Sequence, residues 1–173
     1  MKRVLSILAI TVVSSTLALA DGPNAKVKEL KPLEGHWSCT GTAFAFMGFP
    51  EHKTAAKFDA TWQLDGFWLE ASFQETKTPA NATPVGVRYY WGWDDAAKAF
   101  ASVGVDNSGA HFAHSSPGWS GDAITFGGEL KIADKMLKFH DVYTKMGANK
   151  VMHRGEAEID GKWTKLDEET CTK

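Results

Sequence analysis

The chain is poor in the features that announce an established chemistry. It has only two cysteines among 173 residues, Cys39 and Cys171, and two so far apart lack the ligand spacing of a zinc site. No metal site is therefore expected. Neither a Gly-x-Ser-x-Gly elbow nor a phosphate-cradling glycine loop occurs, so the common motifs of nucleophilic hydrolysis and nucleotide use are absent. Basic residues are not in excess, at 19 against 21 acidic, and no basic stripe is present to neutralise phosphates. Nucleic acid is excluded as a partner on that ground. Beyond the N-terminus no apolar run is long enough to span a bilayer, and no repeat, low-complexity stretch or linker divides the chain.

The N-terminus carries the first positive signal. "MKRVLSILAITVVSSTLALA" has Lys2 and Arg3, an apolar core, and Ala18-Leu19-Ala20 ahead of Asp21, the order of a secretory signal peptide. A membrane anchor needs about 20 strongly apolar residues; this core is shorter and diluted by Ser14, Ser15 and Thr16. Cleavage after Ala20 is expected, with export to the periplasm or the medium. No cysteine follows the cut, which argues against a lipid anchor. In an exported protein, two cysteines near the ends of the domain favour a disulfide over two buried thiols.

The remainder alternates with a period of two. "KFDATWQL" places Phe58, Ala60, Trp62 and Leu64 on one face, and "FWLEASFQ" repeats the pattern across Asp65-Gly66, a hairpin signal. "VGVRYYWGW" does the same with Val87, Tyr89 and Trp91. Counted from Trp37, about ten strands follow one another through short turns. The fold class is all-β, an antiparallel up-and-down barrel, because closure removes exposed sheet edges; a two-sheet sandwich is the alternative. The organisation is then a leader at 1–20, an irregular or helical segment at 21–34, and a barrel at 35–173.

The stretch "LKPLEGHWSCTG" resembles the opening of calycin barrels, in which Gly35 and Trp37 would start strand one and close the barrel base. "TWQLDGFWLEASF", "YYWGWDDAAKAF" and "GKWTKLDEETCTK" resemble secreted bacterial lipocalin-like families of unknown function. The resemblance implies a basic side chain over Trp37, for which Arg154 is the candidate, and a binding site at the opposite end. The strand count is closer to the ten-stranded fatty-acid-binding and nitrobindin-like barrels than to eight-stranded lipocalins. In a closed barrel the last strand lies beside the first, so a Cys39–Cys171 bridge would lock the seam.

Seven tryptophans exceed what one barrel base needs, so the aromatic faces either fill a core or line a cavity. The candidate ligand-binding residues are Trp62, Phe73, Tyr89, Trp91 and Phe139 for apolar contact, with Asp141 and His153 as polar groups. His153 shares a face with Val151 and Ala157, and Asp141 and Tyr143 lie across the hairpin from it. That cluster is either a structural polar plug or a ligand contact. In "HFAH", His111 and His114 point to opposite faces and are expected as separate surface or rim histidines. The expected function is non-catalytic binding of a small hydrophobic or amphipathic molecule, with no cofactor. The alternatives are a haem protein or isomerase using His153, and a structural envelope protein whose barrel is filled by its own side chains.

Overall fold

The computed structural model describes residues 22–132 and 135–173; the expected leader at 1–20 lies outside the described residues. A 3₁₀ helix over Ala25–Leu33 precedes the barrel, capped by the Asn24 side chain, which accepts from the Lys26 amide at 3.0 Å. A 3₁₀ helix stacks side chains three apart on one face. Val27, Leu30 and Leu33 have that spacing and are all buried, so the helix is a lid over one end of the sheet.

The strands are β1 (Gly35–Ala43), β2 (His52–Gln63), β3 (Trp68–Glu75) and β4 (Gly86–Asp94). They continue as β5 (Ala99–Asp106), β6 (His111–Ser116) and a two-residue β7 (Trp119–Ser120). The last four are β8 (Ala123–Ile132), β9 (Lys135–Lys145), β10 (Lys150–Ile159) and β11 (Lys162–Thr172). Each pairs with the next except β6, which skips β7 and meets β8 at Ser115 and Gly127, and β1 pairs with β11. The result is a closed ten-strand antiparallel barrel, with β7 as a short appendage on β8.

The β1–β11 seam pairs Cys39 directly with Cys171, with Cα atoms 3.9 Å apart and a disulfide between them. Both cysteines are buried. Trp37 sits two residues back along β1, also buried, and donates from Nε1 to the Leu33 carbonyl at 3.1 Å. The basic group over its ring is Lys173, whose Nζ is 4.4 Å from the centroid, and not Arg154. The strand phase explains the correction. Lys173 continues the alternation of Cys171 past the end of β11, whereas Arg154 neighbours the inward-facing His153 and so points outward, where it pairs with Glu156 at 2.9 Å. At Gly35 (φ +119°) a Cβ would fall 2.9 Å from Lys173 Cε, so glycine there clears the path of that lysine.

Above the helical lid, Trp91 stacks on Phe126 at 5.7 Å, meets Tyr143 edge-on at 5.2 Å, and donates to Ser102 Oγ at 3.0 Å. This aromatic layer fills the lower half of the barrel. The loops at 44–51 and 76–85 form the opposite rim, each pinched by a local bridge, Phe46 with Phe49 and Thr78 with Asn81. The break around 117–121 lies instead at the lidded end, where Trp119 donates to the Glu29 carbonyl at 2.8 Å.

The bridge closes a loop with a sequence separation of 132, worth about 4 to 5 kcal/mol on chain-entropy arithmetic. Urea unfolding of the Cys39→Ser/Cys171→Ser protein is expected to show most of that loss, with a steeper slope because the unlinked denatured chain exposes more surface. Equal midpoints for the oxidised protein and the double variant would remove the seam's role in stability.

Candidate functional site

The upper half of the barrel is hollow. A cavity of about 520 Å³ opens between the rim loops and runs down to the aromatic layer. Phe44, Phe46, Phe49, Phe73, Val87 and Phe112 give it an apolar sleeve. A separate void of about 20 Å³ lies below, between Trp37, Phe58 and Tyr143, space for about one water.

Two rows of paired residues build the cavity floor. The first runs Tyr143, His153, Glu169, Gly41 and Thr54 across β9, β10, β11, β1 and β2; the second runs Asp141, Gly155, Asp167, Ala43 and His52. Two glycines make room for the charged side chains. A Cβ on Gly155 would meet Asp167 Oδ2 at 2.5 Å, and one on Gly41 would meet Glu169 Cγ at 2.8 Å and collide with the Glu168 carbonyl oxygen. A bulge between β10 and β11 at Gly155/Glu156 lets consecutive Leu166 and Asp167 both reach the cavity.

His153 is the hub. Its Nε2 lies 3.1 Å from Asp141 Oδ1, and its Nδ1 lies 2.9 Å from Glu169 Oε2 and 3.3 Å from Asp167 Oδ1. The carboxylates are held in turn: the Thr54 hydroxyl donates to Glu169 Oε1 at 3.3 Å, and the Gly155 amide donates to Asp167 Oδ1 at 3.0 Å. His114 completes the group from β6, with Nδ1 3.9 Å from Asp141 Oδ2. Apart from these, Glu75 is buried in the wall, accepting from Asn81 Nδ2 at 2.8 Å and the Val85 amide at 2.7 Å.

The electrostatics follow from this crowding. Burial works against a charged His153, but hydrogen bonds to Asp141 and Glu169 overcome it and raise its pKa well above the usual histidine range. Withdrawal from bulk water and the Glu169 charge push Asp167 up to about 7, with His153 pulling the other way. Burial likewise raises Tyr89 and Tyr143. His153 is thus a cation clamped among carboxylates, which makes it a poor general base. Haem also fits badly, because carboxylate oxygens at 2.9 and 3.3 Å flank Nδ1 and leave no approach for a macrocycle.

Of the sequence candidates, Phe73, Tyr89, Phe139, Asp141 and His153 lie on the cavity wall. Trp62 and Trp91 do not; they belong to the packed lower half. His114, expected at the surface or rim, is buried and faces inward. Asp167 and Glu169 are not among the sequence candidates. Their signal was the phase of β11: once Cys171 points inward, period two sends Glu169 and Asp167 the same way.

A family profile described as "Protein of unknown function (DUF1579)" matches residues 22–173. The chain belongs to this family. Among curated proteins none matches it in sequence. The DUF1579 barrel is similar to the crystal structure of Rv2717c from M. tuberculosis, with a TM-score of 0.66 and 13% identity over 87% of this chain and 98% of that one. At that identity the likeness concerns the fold alone.

The folded state holds protons on Asp167 and His153 more tightly than the unfolded chain, where ordinary values are 3.8 and 6.5. Stability from both groups is complete below those unfolded values and drains as pH rises through the folded ones. In EDTA, the thermal midpoint is expected to fall from about pH 4 to pH 7 and to go on falling above that as His153 loses its proton, and Asp167→Asn should flatten the part of that fall between about pH 4 and pH 7. A midpoint that rises over this window would contradict the assigned environment.

Proposed function

We propose that the chain is an exported calycin-type barrel that binds a small amphipathic molecule without transforming it. One observation carries the reading: the cavity of about 520 Å³ has an aromatic sleeve and a floor of His153, Asp141, Asp167 and Glu169. Its volume falls in the range of about 300–1,000 Å³ typical of small-molecule pockets. The sleeve would take the apolar body, and the floor the polar end. A barrel wholly filled by its own side chains is hard to reconcile with so large a void, and a clamped histidinium does not support an isomerase.

The charge of the wall narrows the polar end. Among the described residues lining the cavity, the acids Glu75, Asp106, Asp141, Asp167 and Glu169 are present and no lysine or arginine is. A carboxylate-headed ligand would bring like charge into a site of low dielectric. A primary amine would bring the opposite charge, with three hydrogen-bond donors. The disulfide agrees with export, and the excess of acid over base agrees with a partner other than nucleic acid.

Displacement of the neutral dye N-phenyl-1-naphthylamine tests this. In EDTA at pH 7, dodecylamine is expected to compete at least about tenfold more strongly than dodecanoate, a difference of about 1.4 kcal/mol. Val87→Trp, which fills the sleeve, should abolish dye binding while retaining the thermal transition. Absence of dye binding, or undiminished binding by the filled variant, would defeat the cavity reading; a preference for dodecanoate would defeat the charge argument.

A further inference from the structure

We propose that His153 Nδ1, Asp167 and Glu169 form a binding site for one divalent transition-metal ion, Zn²⁺ or Mn²⁺, at the base of the cavity. This goes beyond the amphipathic-ligand reading and does not depend on it. One ligand atom from each of the three residues lies within 4.8 Å of the others. Nitrogen and oxygen donors about 2.0–2.2 Å from one ion stand about 2.8–3.6 Å apart at octahedral to tetrahedral angles. His153 Nδ1 lies 2.9 Å from Glu169 Oε2 and 3.3 Å from Asp167 Oδ1, so small shifts of these side chains would admit an ion between them.

The surrounding shell has the form that metal sites use. A ligating histidine usually donates its other ring nitrogen to a carboxylate, and ligating carboxylates are themselves hydrogen-bonded. Here Asp141 takes His153 Nε2, Thr54 holds the far oxygen of Glu169, and the Gly155 amide holds Asp167. Three anchored donors leave the remaining coordination positions directed at the cavity, the arrangement of an open site.

A second observation points the same way. His114 is buried, with its side chain 1% exposed, and its Nδ1 has no hydrogen-bond partner among the described residues although it faces Asp141 Oδ2 at 3.9 Å. Three carboxylates converge on one histidine, and a nearby nitrogen is unpaired. A divalent ion would supply the positive charge the cluster lacks. The ion would replace the proton that His153 Nδ1 shares with Glu169, and that proton would leave to solvent. Mixed imidazole and carboxylate donors suit Zn²⁺ and Mn²⁺ better than Mg²⁺. A bound ion would also offset the acidity of the floor and lessen its preference for an amine head.

The test is titration of the chelator-stripped protein with Zn²⁺, Mn²⁺ and Mg²⁺ by calorimetry, with no organic ligand present. One equivalent of Zn²⁺ or Mn²⁺ is expected to bind at least tenfold more tightly than Mg²⁺. Glu169→Gln and Asp167→Asn should each weaken it at least tenfold, while Glu51→Gln, at an exposed carboxylate outside the cavity lining, should leave it within twofold. Co²⁺ binding to the unaltered protein should shift the His153 ring signals in its NMR spectrum, a readout that needs no variant to fold. No saturable binding, affinity retained in both cluster variants, or Co²⁺ shifts confined to other histidines would overturn the site. Because the dye experiment is run in EDTA, either result can fail without the other.

Discussion

The pairing of Cys39 with Cys171 sets the phase of the rest of the barrel. A closed antiparallel sheet has one register at each seam, and a slip of one residue would turn every side chain of a strand to the other face. With both sulfurs inside, β1 must send Trp37 inward at one end, and β11 must send Glu169 and Asp167 inward at the other. Lys173, on the same alternation, is carried over the Trp37 ring. The covalent link and the acidic floor are consequences of one register.

That register imposes a cost which the local sequence offsets. Placing three carboxylates inside a protein is strongly unfavourable unless each is paired or hydrogen-bonded. The donors come from strands on both sides of β11: His153 and the Gly155 amide from β10, and Thr54 from β2 across Gly41. Gly41 and Gly155 interleave with the charged residues so that each carboxylate has room. The arrangement remains short of positive charge, as the raised Asp167 indicates, and the His114 Nδ1 beside Asp141 is left without a partner. A structural plug would be expected to close its own hydrogen bonds, as Glu75 does with Asn81 and the Val85 amide in the same wall.

The architecture was legible in the sequence because strand alternation is a one-dimensional signal. Phe58, Ala60 and Trp62 declare their face without knowledge of the neighbours, and Asp65-Gly66 declares the turn. Height along the barrel is different. Trp91 and Phe73 both face inward and so are candidates for the same cavity, yet Trp91 pairs with Leu69 and Phe73 with Val87, which puts Trp91 lower in the packed layer. Period two gives the face, while register and shear give the level. The acids of β11 were hidden for another reason. "KLDEETC" has no apolar alternation to read, so its inward face could be recognised only through Cys171. His114 was misplaced because a histidine is equally at home on a surface and in a polar interior.

The distribution of aromatic residues explains how a small barrel carries both a core and a void. Trp37, Trp91 and Phe126 lie at the lidded end with Leu30 and Leu33, where burial of large rings supplies much of the apolar stabilisation. The open end has no tryptophan among its lining residues; Ala43 and Val87 are small there, and the rings of Phe73 and Phe112 line the void, together with the polar cluster. Stability is concentrated below and in the disulfide seam, so the upper strands can hold an incompletely neutralised site. The same seam that carries the stabilising crosslink carries two of the three proposed metal ligands on β11. Loss of the bridge should therefore disturb the positions of Asp167 and Glu169 before it opens the aromatic layer, because those residues lie four and two positions from Cys171 on one continuous strand.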